Sequence, residues 1–354
     1  MNNDDLSAVE VQRLFSRVLK KPVVFAEKLR GGRNTQVYCL RSEDGGWYAG
    51  KRYFRHPTDT RDRLGTEFAA LRFLWENGVR SIPKPMAADE SVAVAVYEFI
   101  QGRRIHPEDI SDWHIGRVVD FVATTAYLRD VRGSDQLPRA SHAIFSFQGY
   151  VDYITTRLKR LQEITRSDAP YQELRRFLKE EFQRRFAEIF WWCREQVGSD
   201  AELSREIALW QQTLSPSDFG FHNALLTRDR DIVFLDFEYF GWDDPAKMIC
   251  DFLLHPAMGL SQSLGKLFFK GVLTVFSRDR GLEKRVQIMY PLAGLAWCLI
   301  FLNELLPEHA ERRQFCLGKE LDLATVQWEQ LAKSERMLER IAHEFRDFPY
   351  RVQG

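Results

Sequence analysis

Near residue 102 the chain changes its hydrophobic period, and one continuous layer of structure cannot satisfy both parts. Before that point, short runs at 23–29, 36–41, 47–54 and 91–100 (SVAVAVYEFI) alternate or run apolar as strands do. They are broken by Gly31-Gly32 and by Asp44-Gly45-Gly46, the latter a hairpin turn. One helical stretch, 66–77 (TEFAALRFLWEN), falls among them and stops at Gly78. Ahead of the strands, Ser7-Ala-Val-Glu10 forms a capping box that opens a helix carrying Val11, Leu14, Phe15 and Val18. From about residue 108 the period is helical, with stretches near 113–130, 148–165, 171–196 and 200–212. A loop and two short strands interrupt it at 214–240, and helices resume at Pro245.

The reading is an α+β chain: an N-terminal helix (1–22), a small antiparallel β-sheet lobe with one helix (23–102), and a large, mostly helical lobe (103–354). A length of 354 residues suits two lobes better than one core. Fifty basic residues balance fifty acidic ones, so there is no overall field to draw in nucleic acid or anionic lipid, and neither is expected as a partner. The five cysteines are scattered with no C-x-x-C pair, which argues against a disulfide framework and a cysteine zinc site. The N-terminus shows no apolar signal region, and the apolar run 292–302 is shorter than a bilayer span. A soluble cytoplasmic protein is expected.

Several residues could carry chemistry. Gly31-Gly32 lies between two strands, where glycines form either a plain hairpin turn or a backbone nest for phosphate. Lys51, on the strand that follows, could reach phosphates or point to solvent; the pattern leaves its facing undecided. Glu67 opens the next helix, either as a partner for Lys51 or as a first-turn acid facing the helix dipole. The segment LSPSDFGFHNALL places Asp218 five residues before Asn223, and Asp236 ends an apolar strand 236 − 218 = 18 residues after Asp218. A carboxylate and a carboxamide are hard oxygen ligands of the kind Mg²⁺ takes, and the other carboxylate is then available to accept a proton. Asp and Asn also form ordinary turns. GLSQSLGK (259–266) departs from a phosphate-binding P-loop in its glycine spacing and in Leu267. His222 reads as a loop or packing histidine, and Trp191, Trp192 and Trp210 as core residues of helices.

Taken in order, these pieces resemble the aminoglycoside phosphotransferase and choline kinase-like family, which shares the protein-kinase fold. The resemblance spans roughly residues 25–256 and rests on GGRNTQVY, Lys51, Glu67, YEFIQG (97–102), Asp218 with Asn223, Asp236-Phe-Glu, WDDP (242–245) and Asp251. It implies a bilobal kinase-like fold and ATP with Mg²⁺ as cofactors. Gly31, Gly32, Arg33, Asn34 and Thr35 would cover the ATP phosphates, with Lys51 and Glu67 as the anchoring ion pair. Backbone groups of Glu98 and Ile100 would meet adenine, Asp218 would be the catalytic base, and Asn223 and Asp236 would hold the metal. The family usually has His-Gly-Asp where this chain has Pro216-Ser217-Asp218.

The implied activity is transfer of the γ-phosphate of ATP to a hydroxyl of a small molecule such as an amino sugar, sugar or amino alcohol. Glu238, Tyr239, Asp243 and the Tyr150/Asp152/Tyr153 group are candidates for contacting that acceptor. A catalytically impaired nucleotide-binding module is the alternative. A protein kinase fits less well, because the stretch from Asp236 to Pro245 leaves no room for a long activation loop.

Overall fold

A computed structural model describes residues 6–29, 35–55, 61–317 and 322–351. Helix α1 (Ala8–Leu19) begins at the expected capping box: the Glu10 N–H donates to Ser7 Oγ, and the Glu10 carboxylate accepts the Ser7 N–H at 2.8 Å. Strands β1 (Val23–Lys28), β2 (Thr35–Ser42) and β3 (Trp47–Tyr53) follow, then helix α2 (Arg63–Glu76), β4 (Pro85–Asp89) and β5 (Val94–Glu98). The five strands form one antiparallel sheet in the order β1-β2-β3-β5-β4.

The two faces of this sheet are settled on β3. Gly50 lies under α1, and a Cβ there would stand 2.7 Å from the Phe15 ring. That close approach needs glycine, and it fixes the alternation of the strand. Lys51, one residue on, therefore faces the opposite side, where α2 packs.

Three local readings change. Helix α2 starts earlier than residue 66, because the Asp62 side chain accepts the Gly65 N–H at 2.9 Å and caps it there. The run 91–100 is shortened to β5, because Asp89 captures the Ser91 N–H at 2.9 Å and winds 90–92 into a 3₁₀ turn. The sheet also gains an edge strand, β4, opened by Pro85 where a missing N–H costs little.

Beyond β5, a short strand β6 (Gly102–Arg104) leads into helices α3 (Asp112–Leu128), α4 (Phe147–Gln162), α5 (Ala169–Arg176) and α6 (Gln183–Val197). A π turn at 177–182 splits the single helix expected over 171–196. The stretch 200–212 is mostly irregular, holding only the short helix α7 (Asp200–Ser204) and one 3₁₀ turn. Trp191 and Trp210 are exposed, not core residues.

Four short strands follow: β7 (Thr213–Ser215), β8 (Ala224–Thr227), β9 (Ile232–Phe234) and β10 (Gly241–Asp243). Strand β7 pairs with β10, while β6, β8 and β9 form a separate sheet that ties the end of the first sheet to the middle of the helical part. Helices α8 (Pro245–Leu254), α9 (Gln262–Val275), α10 (Leu282–Phe301), α11 (Pro307–Leu317) and α12 (Leu323–Glu344) complete the chain. Helix α10 is the axis of the helical part and packs against α12, α8 and α4. With its 3₁₀ extension it is long and apolar enough to cross a membrane, yet 78 % of its most apolar window is buried inside the protein. All five cysteines are buried.

Replacing Gly50 by alanine should push the Phe15 ring or the sheet out of place and cost about 1–3 kcal/mol. Urea denaturation followed by far-UV circular dichroism checks this, and an unchanged midpoint would refute the packing assigned to β3.

Candidate active site

A buried ammonium links the two parts of the molecule. Lys51 Nζ on β3 donates to Glu67 Oε1 of α2 at 2.7 Å and to Asp236 Oδ1, just after β9, at 2.9 Å. Glu67 is 1 % exposed and also accepts the Tyr53 hydroxyl at 2.5 Å and the Phe237 N–H at 3.3 Å. Tyr53 in turn shares a hydrogen bond of 2.8 Å with Tyr97. Burial alone would lower the Lys51 pKa, but the Asp236 and Glu67 carboxylates more than offset it and hold the amine protonated well above the ordinary lysine range.

Asp218 lies on the loop between β7 and β8. Phe219 and Phe221 flank it and are buried among Phe121, Phe234 and Phe252, with Phe219 and Phe121 stacked at 5.5 Å. That apolar anchoring leaves the Asp218 carboxylate partly exposed. Ser217, with φ of 62°, and Asp236, with φ of 68°, both adopt the left-handed region, a strained geometry for residues other than glycine. Asn223 donates its carboxamide N–H to the Asp218 main-chain oxygen at 3.0 Å, and its own carbonyl accepts the Leu235 N–H at 2.8 Å, which brings it beside Asp236.

Two histidines crowd the same carboxylate. His222 Nε2 is 3.0 Å and His255 Nε2 3.5 Å from Asp218 Oδ1, and their rings stack 3.7 Å apart at 6°. An Asp–His–His group of this kind could hold a transition metal. The tautomer argues otherwise: His255 Nδ1 accepts the Ala257 N–H at 3.2 Å, so the proton of the neutral ring belongs on Nε2, facing Asp218. A metal on Nε2 would put an N–H against the Ala257 donor. The buried Nδ1 of His222 has no partner, and a proton there would be an unsatisfied donor. The His222 ring thus donates to the aspartate, and the His255 ring stacks on that ring with Nε2 turned toward the same oxygen.

The acids of 238–244 are consumed inside the protein. Glu238 faces Arg63 at 3.6 Å, with both side chains buried. Asp243 accepts the Ile144 and Asp244 N–H groups and lies 3.2 Å from Lys247 Nζ, which also bonds Asp251 at 2.8 Å. Asp244 caps α8 through the Ala246 N–H and takes a two-pronged ion pair from Arg285, at 2.8 and 3.0 Å, while Arg285 also reaches Asp279. Burial pushes Asp243 up to about 6 against the pull of Lys247. Among the acceptor candidates, Glu238, Asp243 and Tyr150 are thus buried within the protein.

Of the residues expected to bind nucleotide, Lys51 and Glu67 come together, with Asp236 beside them. Gly31, Gly32, Arg33 and Asn34 lie outside the described residues. Thr35 is buried as the first residue of β2, paired with Tyr53, and is not part of an open loop. Glu98 and Ile100 fall on the crossing from β5 to β6, where the Glu98 N–H is already bonded to the Lys84 carbonyl at 2.8 Å. Sequence reasoning set His222 aside and overlooked His255, whose only local signal is its place just past α8.

The model of the phosphotransferase enzyme family (APH) matches residues 26–268, and the chain belongs to that family. Among curated proteins no sequence matches it significantly. Solved structures share its protein-kinase-like fold. The gentamicin complex of APH(2")-IIa is 17 % identical and overlays with a TM-score of 0.60, covering 96 % of this chain and 99 % of that one. Spectinomycin phosphotransferase APH(9)-Ia, in complex with ADP and spectinomycin, is 12 % identical with a TM-score of 0.60, covering 93 % and 100 %. Choline kinase LicA from Streptococcus pneumoniae is 14 % identical with a TM-score of 0.59, covering 93 % and 98 %. At these identities the likeness is one of fold.

Arg285→Met should strand the Asp244 carboxylate in the core and destabilise the protein by about 3–5 kcal/mol. A loss below about 1 kcal/mol in chemical denaturation, the range of exposed ion pairs, would show that this pair does not brace the strand-to-helix junction.

Proposed function

We propose that the chain is an ATP-dependent kinase, using Mg²⁺, that phosphorylates a hydroxyl of a small molecule. The observation that carries this reading is the Lys51 ammonium bonded to Glu67 and Asp236, with Asp218 and Asn223 on the neighbouring loop. Family membership supports it, as does the ADP named with the spectinomycin enzyme. The nucleotide is assigned to the cleft between the sheet lobe (23–102) and the helical lobe (103–354). There the crossing at Glu98–Ile100 would meet adenine through backbone, and Gly31, Gly32, Arg33 and Asn34 are assigned to the phosphates.

In this reading Lys51 is a fixed positive charge for the α- and β-phosphates, and Glu67 keeps it from swinging away. Asp218 orients the acceptor hydroxyl and takes its proton as the oxygen bonds to the γ-phosphorus and the bond to the leaving ADP oxygen breaks. His222 and His255 position that carboxylate. The donor set fits a hard cation: Asn223 has its amide nitrogen tied to the main chain, which presents its oxygen, and the Asp236 side chain is one-third exposed. When bound there, Mg²⁺ supplies charge neutralisation of the phosphate oxygens. Five buried, scattered cysteines suit a reducing compartment, and we place the enzyme in the cytoplasm.

The test is ADP release across a panel of amino sugars, sugars, amino alcohols and their acidic derivatives. Asp218→Asn should lower kcat by about 10²–10⁴-fold while ATP binds as before. ATP binding without turnover of any acceptor would mark an impaired module instead. His222→Ala and His255→Ala should each lower kcat about tenfold or more, the value of a hydrogen bond to a charged group. The double variant should lose less than the product, since both rings act on one oxygen. Equal ATP affinity in all three variants is part of the expected result.

A further inference from the structure

Glu238, Asp243 and Asp244, acids that could recognise a cationic acceptor, are buried on Arg63, Lys247 and Arg285, and arginines gather next to the loop carrying Asp218. The Tyr239 carbonyl accepts the Ser141 N–H at 3.1 Å, and the next residue, His142, lies ring to ring with Tyr153 of α4 at 5.2 Å. The Arg157 guanidinium covers the Tyr153 ring at 4.6 Å and donates to Asn303 Oδ1 at 3.1 Å. Nearly one turn on, Arg160 pairs with Glu308, and the neighbouring His309 accepts from Arg312 at 2.6 Å. From the sheet lobe, Arg61 stands 5.9 Å over the Tyr239 ring. Guanidiniums from α4, from α11 and from the start of α2 thus converge on one patch.

Two electrostatic signs agree with that geometry. Burial, and then Arg312, Arg160, Arg157 and Arg61, push His309 down to about 2. Burial and then the Glu238 carboxylate raise Tyr239, and the pairing of Gly241 with Ser215 brings its chain beside the loop of Asp218, so the cationic patch adjoins the proposed base. A cluster of planar guanidinium forks matches an anion with paired oxygens.

We propose that the acceptor hydroxyl belongs to a compound carrying an oxyanion, a carboxylate or a phosphate, which Arg157, Arg160, Arg312 and Arg61 hold so that the hydroxyl reaches Asp218. This rests on the kinase reading above and specifies its substrate class. It excludes amino sugars and amino alcohols as the native acceptors.

Calorimetric titration of the protein loaded with ADP and Mg²⁺ tests it, using four groups of probes. Gluconate and glucuronate represent carboxylates, and glucose 6-phosphate and glycerol 3-phosphate represent phosphates. Glucose and glycerol are neutral, and kanamycin, glucosamine and choline are cationic. Binding confined to one or both anionic groups is expected, weakened about tenfold or more by Arg157→Gln and by Arg160→Gln. Both side chains are partly exposed, and unchanged ADP affinity in the variants shows that they fold. The carboxylate and phosphate arms identify which oxyanion is read. Preferential binding of the neutral or cationic group overturns the proposal, as does anion binding that neither substitution changes. No anion binding at millimolar concentration, with ADP bound, overturns it and leaves the kinase reading standing. Failure of the folded wild type to bind ADP overturns the kinase reading itself, and this one with it.

Discussion

The Lys51 ammonium, shared between Glu67 and Asp236, is the contact on which the rest of the site depends. A charge taken out of water is costly unless its partners are close and otherwise satisfied, and removing one partner of such a group leaves the others stranded. Here the partners come from three separate places: the middle strand of the sheet, the helix packed on it, and the loop after β9. The ion pair can form only when the two lobes are docked in one orientation. It therefore reports the docking and also aims a positive charge into the cleft. Gly50 and Phe15 contribute from the other face, because the close approach of α1 directs Lys51 toward α2.

Around that contact, the loop carrying Asp218 and the junction after it are held by two different means. Phe219 and Phe221 bury their rings in an aromatic cluster with Phe121, Phe234 and Phe252, which anchors the loop without polar groups. The strand-to-helix junction that follows is held by buried ions: Asp243 with Lys247 and Asp251, and Asp244 with Arg285 and Asp279. Asp218 remains at the rim of both, oriented by two imidazoles that reach it from different elements. The loop sequence lacks the family's histidine, yet two histidines stand beside the aspartate.

Much of this was legible in the sequence where the signal is local or ordered. The capping box at Ser7, the hairpin at Gly45 and the helix start at Pro245 follow from short-range chemistry. Lys51, Glu67, Asn223 and Asp236 were legible as an ordered set, although the facing of Lys51 was not, because both alternating residue sets on β3 are mixed. Strands of three residues, such as β6 and β10, are too short to show a period. His255 stands 255 − 222 = 33 residues from His222, and only the return of α8 toward the loop brings them together. Glu238 and Asp243 look like surface acids in sequence, since their buried partners Arg63 and Ile144 are distant along the chain.

The central claim is that Asp236, tied to Lys51, completes a site for the metal–nucleotide complex. Calorimetric titration with ATP, with and without Mg²⁺, of the wild type and of Asp236→Asn addresses it most directly. The account predicts binding to the wild type that is strengthened by Mg²⁺, and a mutant in which that strengthening is lost. Binding that is indifferent to Mg²⁺ in both proteins, or no binding by the folded wild type, would contradict it.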